Sequence, residues 1–289
     1  MKPAEAAGQP LLDLVRRQVD LGPRYPGSEA HRRLAGELAG SLEEHTAEAH
    51  RQRFTVRLPG GPAECGNLTG IFRPAETESP LALPPLLLGT HFDTRLTADR
   101  EPEQASRARP IPGANDGGSG TAILLSLLPQ LARLGREGKL AREVRVVFFD
   151  AEDVGGIGGL PFSLGAGVYA REPPFGPPGE VLVLDMVGGS GLELDLDGHA
   201  MDHPPSLELT RRVFASGGQV DPAVFRAAKL KHIICDHYPF LKRGIASCLL
   251  IDLDYPEWHT QADLPAAMSE RSLATIAAAV LRFLQEPRR

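Results

Sequence analysis

The sequence predicts an α/β fold: a single domain over residues 1–289, with a mostly parallel, mixed and twisted sheet and helices on both faces. Three observations predict it. Apolar runs at residues 86–88, 144–149, 181–184 and 248–251 are short and nearly continuous, as strands buried on both faces are. Helical patterns alternate with these runs, the order that builds a parallel sheet through crossovers. No internal repeat and no clean linker divides the chain.

The elements follow in order. Leu11, Leu14, Val15 and Val19 recur at helical spacing within residues 10–21. Gly22-Pro23-Arg24-Tyr25-Pro26-Gly27 breaks that helix, and Ser28 is placed to cap a second one running to about Glu44. Residues 53–58 and 67–72 read as strands joined by a Pro/Gly turn. After Pro84-Pro85, a short buried strand ends at Gly89-Thr90-His91. Residues 92–115 form a long loop without periodicity, and loops of that length in compact domains are functional or disordered. Gly117-Gly118-Ser119-Gly120 opens an apolar helix over 121–134, which Gly135 ends and Pro129 should kink or split. Residues 154–167, rich in Gly, read as a loop. The last helix, about 269–284, is strongly amphipathic.

Composition narrows the function. Hydrophobic residues make up 42% and charged residues 24%, ordinary for a globular protein. A formal charge of -6 and the lack of a basic stripe argue against nucleic acid as a partner. Cys65, Cys235 and Cys248 cannot all pair and form no CxxC, which fits a reducing compartment or free buried thiols. No run is long enough to span a membrane. Residues 1–18 are charged and helical in pattern without an apolar signal core. The chain as given therefore reads as cytoplasmic, or as exported if a signal segment has been removed.

The chemistry gathers where apolar runs end. Phe148-Phe149-Asp150-Ala151-Glu152-Asp153 puts carboxylates directly after a buried strand, the place where α/β sheets carry their sites. Like charges packed this closely need a cation between them, or else they close the strand as a solvated acidic turn. Other strand ends finish similarly: His91 after Leu88-Gly89-Thr90, Asp185 after residues 181–184, and Trp258-His259 beyond residues 248–251. Asp116 stands just before a Gly-rich turn and a helix start. Singly, each has a plainer explanation: a hydrogen-bonded His, a helix-capping Asp116, a turn Asp185. Together His91, Asp116, Asp153, Asp185 and His259 form a His/carboxylate set that suits one zinc or a bridged pair. Glu152, adjacent to a ligand and not needed as one, is the natural general base or acid. Asp236 and His237 could support a ligand from behind or cap a helix before Pro239. Trp258, the only Trp, reads as a pocket wall. Cys235 reads as a small buried filler.

These residues resemble the zinc-dependent M28 peptidase superfamily, closest to the glutaminyl-peptide cyclotransferases. The likeness runs from Leu21-Gly22-Pro23-Arg24-Tyr25-Pro26-Gly27-Ser28 through Gly89-Thr90-His91-Phe92-Asp93-Thr94-Arg95 and Gly113-Ala114-Asn115-Asp116-Gly117. Residues 148–153 with Leu184-Asp185-Met186-Val187-Gly188 look most like the bacterial cyclotransferases of animal type. Asp236-His237-Tyr238-Pro239-Phe240-Leu241 and Trp258-His259-Thr260 are similar to both groups. The resemblance implies a zinc aminopeptidase-like fold and a peptide or small N-terminal substrate. It implies that Asp116, Asp153 and His259 hold the catalytic Zn2+, Glu152 shuttles the proton and Asp185 steadies the reacting amine. In the peptidases His91 and Asp185 bind a second zinc, whereas the cyclotransferases keep both residues and use one ion. The implied activity is formation of N-terminal pyroglutamate with release of ammonia. The alternative is an aminopeptidase, and a third class is a binding ectodomain that has lost ligands, none of which is missing here. Three departures stand out. Cys235 takes the place of an acidic residue before the Asp-His pair, Trp258 lacks a second Trp, and Asp153 is a methylene shorter than the peptidases' Glu.

Overall fold

A computed structural model describes residues 10–75, 83–226 and 229–286. Residues 1–9, part of the expected charged N-terminal stretch, lie outside the described residues. The first elements are α1 (Leu11–Asp20), α2 (Glu29–His45), β1 (Ala49–Leu58) and β2 (Gly61–Phe72). Ser28 caps α2 by accepting from the His31 backbone N–H at 3.0 Å, as its position predicts. β1 and β2 form an antiparallel hairpin turning at Pro59-Gly60, with more residues than alternation alone marks. Next come β3 (Leu86–His91), α3 (Gly118–Arg136), β4 (Val144–Phe149), α4 (Leu164–Arg171) and β5 (Glu180–Asp185). The chain continues through β6 (Leu196–Asp197), α5 (Gly198–Met201), α6 (Pro204–Gly218) and β7 (Leu230–Lys231). It closes with α7 (Tyr238–Leu241), β8 (Ala246–Ile251) and α8 (Glu270–Gln285).

Six strands form one mixed sheet in the order β1-β2-β4-β3-β5-β8. β4, β3, β5 and β8 run parallel, and β2 joins β4 antiparallel. All six residues of β3, β4, β5 and β8 are buried, which is why these strands read as unbroken apolar runs. Alternate side chains feed two cores. Leu86, Leu88, Val146 and Leu182 pack with α1, α2, α3, α6 and α8, while Leu87, Val147, Phe149 and Val183 pack with α4 and α7.

Of the kink or split expected at Pro129, the split does not occur: α3 runs unbroken from Gly118 to Arg136. Pro129 is half-buried, while Leu124, Leu127, Leu128 and Leu131 on either side of it are fully buried and hold both halves in the core. Residues 154–167 are not all loop, since Leu164 opens α4, which buries Ala166, Tyr169 and Ala170. The long loop at 92–115 is ordered by tertiary contacts. Ile111 and Ala98 are fully buried, and backbone bonds join Ala98 to Arg109 and Ile111 to Arg95. No helix among the described residues is long and apolar enough to cross a membrane.

Candidate functional site

Parallel β3, β4, β5 and β8 deliver their carboxyl ends to one edge of the sheet, where α/β folds place their sites. β3 ends on His91, β4 leads into Glu152 and Asp153, β5 ends on Asp185, and the segment after β8 brings Trp258 and His259. Asp116 arrives from the turn before α3. Helix α3 lies close to the sheet because Gly120 faces it: a Cβ there would sit 2.1 Å from Thr90 Oγ1 and 2.9 Å from the Leu184 carbonyl.

The residues meet in two trios that share Asp116. Ligand atoms of Asp116, Asp153 and His259 lie within 4.8 Å of one another, as do those of His91, Asp116 and Asp185. His259 Nε2 is 3.3 Å from Asp153 Oδ1 and 3.6 Å from Asp116 Oδ2. His91 Nε2 is 3.3 Å from both Asp116 Oδ1 and Asp185 Oδ1. Asp116 Oδ2 and Asp153 Oδ2 are buried without a hydrogen-bond partner. Two partnerless carboxylate oxygens beside an imidazole nitrogen make a mixed oxygen and nitrogen donor set that fits a divalent cation.

Electrostatics point the same way. Burial pushes Asp153 up to about 6, and the charge of Asp116 adds to it, while His259 opposes. Burial disfavours a charged His259, yet Asp153, Asp99 and Asp116 outweigh it and hold the ring at about 10. Burial raises Glu152 well above the usual carboxylate range; His91 opposes this, and Asp236, Asp153 and Asp185 add to it. Burial also lifts Asp263 to about 7. A site in which carboxylates resist ionisation is one short of positive charge.

Several groups that hold the site in place are assigned no role from the sequence. Asp99 accepts from His259 Nδ1 at 2.8 Å, fixing the ring so that Nε2 faces the trio. Arg95 binds Asp99 at 2.6 Å and Asp153 at 3.2 Å. Asp93 accepts from the backbone N–H groups of Glu152 and Asp153, at 3.0 and 3.1 Å. Asp263 does the same for Asn115 and Asp116, and takes the Tyr255 hydroxyl as well. Asp93 and Arg95 stand next to His91, but their roles appear only once the loop is folded. Asp99 and Asp263 are ordinary surface residues by composition, and no periodicity marks them.

Backbone strain concentrates here too. Among the described residues the non-glycine positions with positive φ are Ala151 (58°), Ser163 (56°), Met186 (47°) and His259 (57°). Each is a site residue or touches one: Ala151 precedes Glu152, Met186 follows Asp185, and Ser163 Oγ donates to Glu152 Oε1 at 2.9 Å. The turn at Ala151, with Asp93 holding both following N–H groups, brings the short Asp153 side chain to the trio.

The cavity between these groups is small, about 40 Å³, and Asp116, Glu152, Asp153, Asp185, Trp258 and His259 border it. Trp258 lies beside His259, ring centres 4.6 Å apart, with the Arg100 guanidinium 3.8 Å above its ring. Phe162 supplies a second aromatic wall from a different loop. His91 is fully buried and does not line the cavity, and its Nδ1 is 3.2 Å from the Asp93 carbonyl. Cys235 does more than fill space: its thiol donates to Asp185 Oδ2 at 3.2 Å. Asp236 is buried with neither oxygen hydrogen-bonded, and His91 and Asp185 are close enough to affect its charge. His237 is not brought into the site. Its Nε2 pairs with Asp197 Oδ2 at 2.8 Å, and it stands at the N-cap position of α7 without capping it through its side chain. Asp150 lies apart from the cavity, tied to His31 at 2.8 Å and to the Gly66 N–H at 2.7 Å.

A mouse glutaminyl-peptide cyclotransferase-like protein is 26% identical over 296 residues, covering 91% of this chain and 72% of its own. The crystal structure of Tannerella forsythia glutaminyl cyclase matches with TM-score 0.84 and 28% identity, over 96% of this chain and 98% of that one. A leucine aminopeptidase precursor from Bacteroides thetaiotaomicron VPI-5482 matches with TM-score 0.84 and 25% identity, over 96% and 97% of the two chains. The profile of peptidase family M28 matches residues 70–284, which span every site residue above, and the chain belongs to that family.

Proposed function

We propose that this enzyme is a zinc-dependent glutaminyl-peptide cyclotransferase, converting the N-terminal glutamine of a peptide to pyroglutamate with release of ammonia. Residues 1–289 act in this reading as one catalytic domain. The observation that carries it is the unequal state of the two trios. Asp116 Oδ2 and Asp153 Oδ2 lack hydrogen-bond partners, whereas both oxygens of Asp185 are hydrogen-bonded, by His91 and by Cys235. That inequality supports one ion held by Asp116, Asp153 and His259, with Asp185 left to steady an amine. Similarity to a glutaminyl cyclase over nearly the whole chain supports the same reading.

Zinc at that trio would supply the positive charge that polarises the γ-carbonyl. The rest falls to the chain's own residues. Asp185 orients the substrate's α-amine through its carboxylate. Glu152, held by Ser163, takes a proton from the attacking nitrogen and delivers one to the departing amide nitrogen. A buried carboxyl with a raised pKa suits that double duty. The α-nitrogen bonds to the γ-carbon, the bond to the amide nitrogen breaks, and ammonia leaves. Trp258 and Phe162 border the cavity and give its wall an apolar face.

One observation favours a second reading. Asp116 is shared by both trios, as a carboxylate bridging two ions would be, and an aminopeptidase precursor is among the structural neighbours. Glu152 would then activate a water that cleaves the first peptide bond. Incubation with a Gln-initiated peptide separates the two. Ammonia release with unchanged chain length and about one zinc per chain supports the cyclase, whereas free N-terminal residue and two zinc ions select the peptidase.

A further inference from the structure

A concavity far larger than the one over the carboxylates lies beside them. A groove of about 870 Å³ lies across α4 and α7, and it meets the catalytic cavity at Phe162 and Ile234, which border both. These two side chains are 37% and 55% exposed, unusual for large apolar groups that no element covers. Phe162 is fixed in place: it lies directly over Gly155, where any Cβ would come within 2.4 Å of the ring, and the Arg95 guanidinium stacks 5.5 Å from its centre. Beyond this apolar mouth the groove turns positive. Arg171, Lys242 and Arg243 line it, all three are exposed, and none has an ion pair among the described residues. Among the described residues no acidic one lines it, in a chain whose net charge is -6.

We propose that this groove holds the substrate's chain beyond its N-terminal residue and selects peptides with an apolar residue after the glutamine and carboxylates farther along. The proposal rests on the reading that the catalytic cavity takes a peptide N-terminus. Continuity fixes the direction, since a peptide leaving the cavity passes Phe162 and Ile234 first. Its reach follows from α4, whose eight residues end at Arg171. A helix of that length spans roughly 12 Å, which an extended chain covers in about four residues. Acidic side chains near the fourth to sixth positions therefore arrive at the three cations. Exposed cations of this kind act through rate of encounter and a modest gain in affinity, and salt weakens both.

Heptapeptides beginning Gln-Leu-Ala test this, with Glu, Ser or Lys at positions four to six. The expected order of kcat/KM is Glu over Ser over Lys, with the extremes differing by about tenfold at low salt and converging as salt rises. The R171E/K242E/R243E variant should invert the order, a ratio that does not depend on the variant's absolute activity. Equal kcat/KM across the three peptides, or an order the charge reversal leaves untouched, overturns the groove while leaving the cyclase standing. The predicted order read as free glutamine instead of ammonia overturns the cyclase and keeps the groove. If no peptide is turned over, binding of the same peptides carrying a C-terminal fluorophore decides, and equal affinity for acidic and basic tails overturns the proposal.

Discussion

Glu152 and Cys235 show how much of this site rests on single atoms. Glu152 is buried, receives the Ser163 hydroxyl, and belongs to neither trio of ligand atoms. Glu152→Gln keeps the shape and removes the transferable proton. It should lower kcat by roughly 10²–10⁴-fold while zinc content by metal analysis stays at the wild-type level. Activity within a few-fold of wild type, with zinc bound, would remove Glu152 from its role. Cys235 makes a different claim. Burial, with Asp185 and other carboxylates adding to it, raises its thiol well above the usual range, so it stays protonated and donates. Burial opposes ionisation of Asp185, but His91, by hydrogen bond and by charge, and then the Cys235 thiol keep it below the usual carboxylate range. Cys235→Ala leaves Asp185 Oδ2 without its partner, a loss of about 1–2 kcal/mol. Expressed at the amine this becomes roughly a five- to thirtyfold drop in kcat/KM, partly restored by Cys235→Ser. A variant that loses thermal stability and keeps kcat/KM would reduce Cys235 to the filler its composition suggests.

At the level of elements, the site depends on how closely α3 lies on the sheet. Gly120 permits it, because Thr90 and the Leu184 carbonyl occupy the space a side chain would need. Both neighbours sit one residue before site groups, His91 and Asp185. Gly120→Ala should therefore cost about 1–3 kcal/mol through overpacking and lower activity as well, whereas Gly138→Ala should spare activity. Gly138 lies past the end of α3, and a Cβ there meets nothing within 4 Å, although its φ of 64° still penalises alanine. Comparing the two variants by melting temperature and kcat/KM separates close approach from backbone preference. If the Gly120 variant melts and turns over like wild type, helix–sheet contact is not what positions Asp116. The same elements show what a sequence can reveal. Strands β3, β4, β5 and β8 are legible because burial on both faces forces apolar runs, and a polar residue ending such a run is conspicuous. His91, Glu152, Asp153 and Asp185 could be singled out on that basis. Asp99 could not, because its meaning depends on His259, 160 residues away, across a loop ordered only by tertiary bonds. Pro129 misleads for the converse reason, since local preference predicts a break that a helix packed into the core on both sides of it does not make.

For the whole molecule, the buried carboxylates make stability, metal and pH one problem. In the metal-free protein Asp153 holds its proton up to about 6 and Asp263 up to about 7, against an ordinary value of 3.8 for both. The folded chain then binds more protons than the unfolded chain between about pH 4 and 7. Stability must fall as pH rises through that window, the reverse of the usual carboxylate contribution. A divalent cation among Asp116, Asp153 and His259 supplies the missing charge, and it binds better as those groups lose protons. Zinc-loaded protein should therefore keep or gain stability over the range in which metal-free protein loses it. Free zinc at ~1,000 times Kd adds about 4 kcal/mol, on the order of 7 °C in melting temperature for a domain of this size. Melting curves of loaded and chelated protein at pH 5, 6 and 7.5 read this directly. The gap should be narrowest at pH 5 and widest at pH 7.5, with most of the change coming from the chelated sample. A gap that narrows as pH rises would mean that the carboxylates are compensated by something other than a metal, and zinc would lose its place in the site.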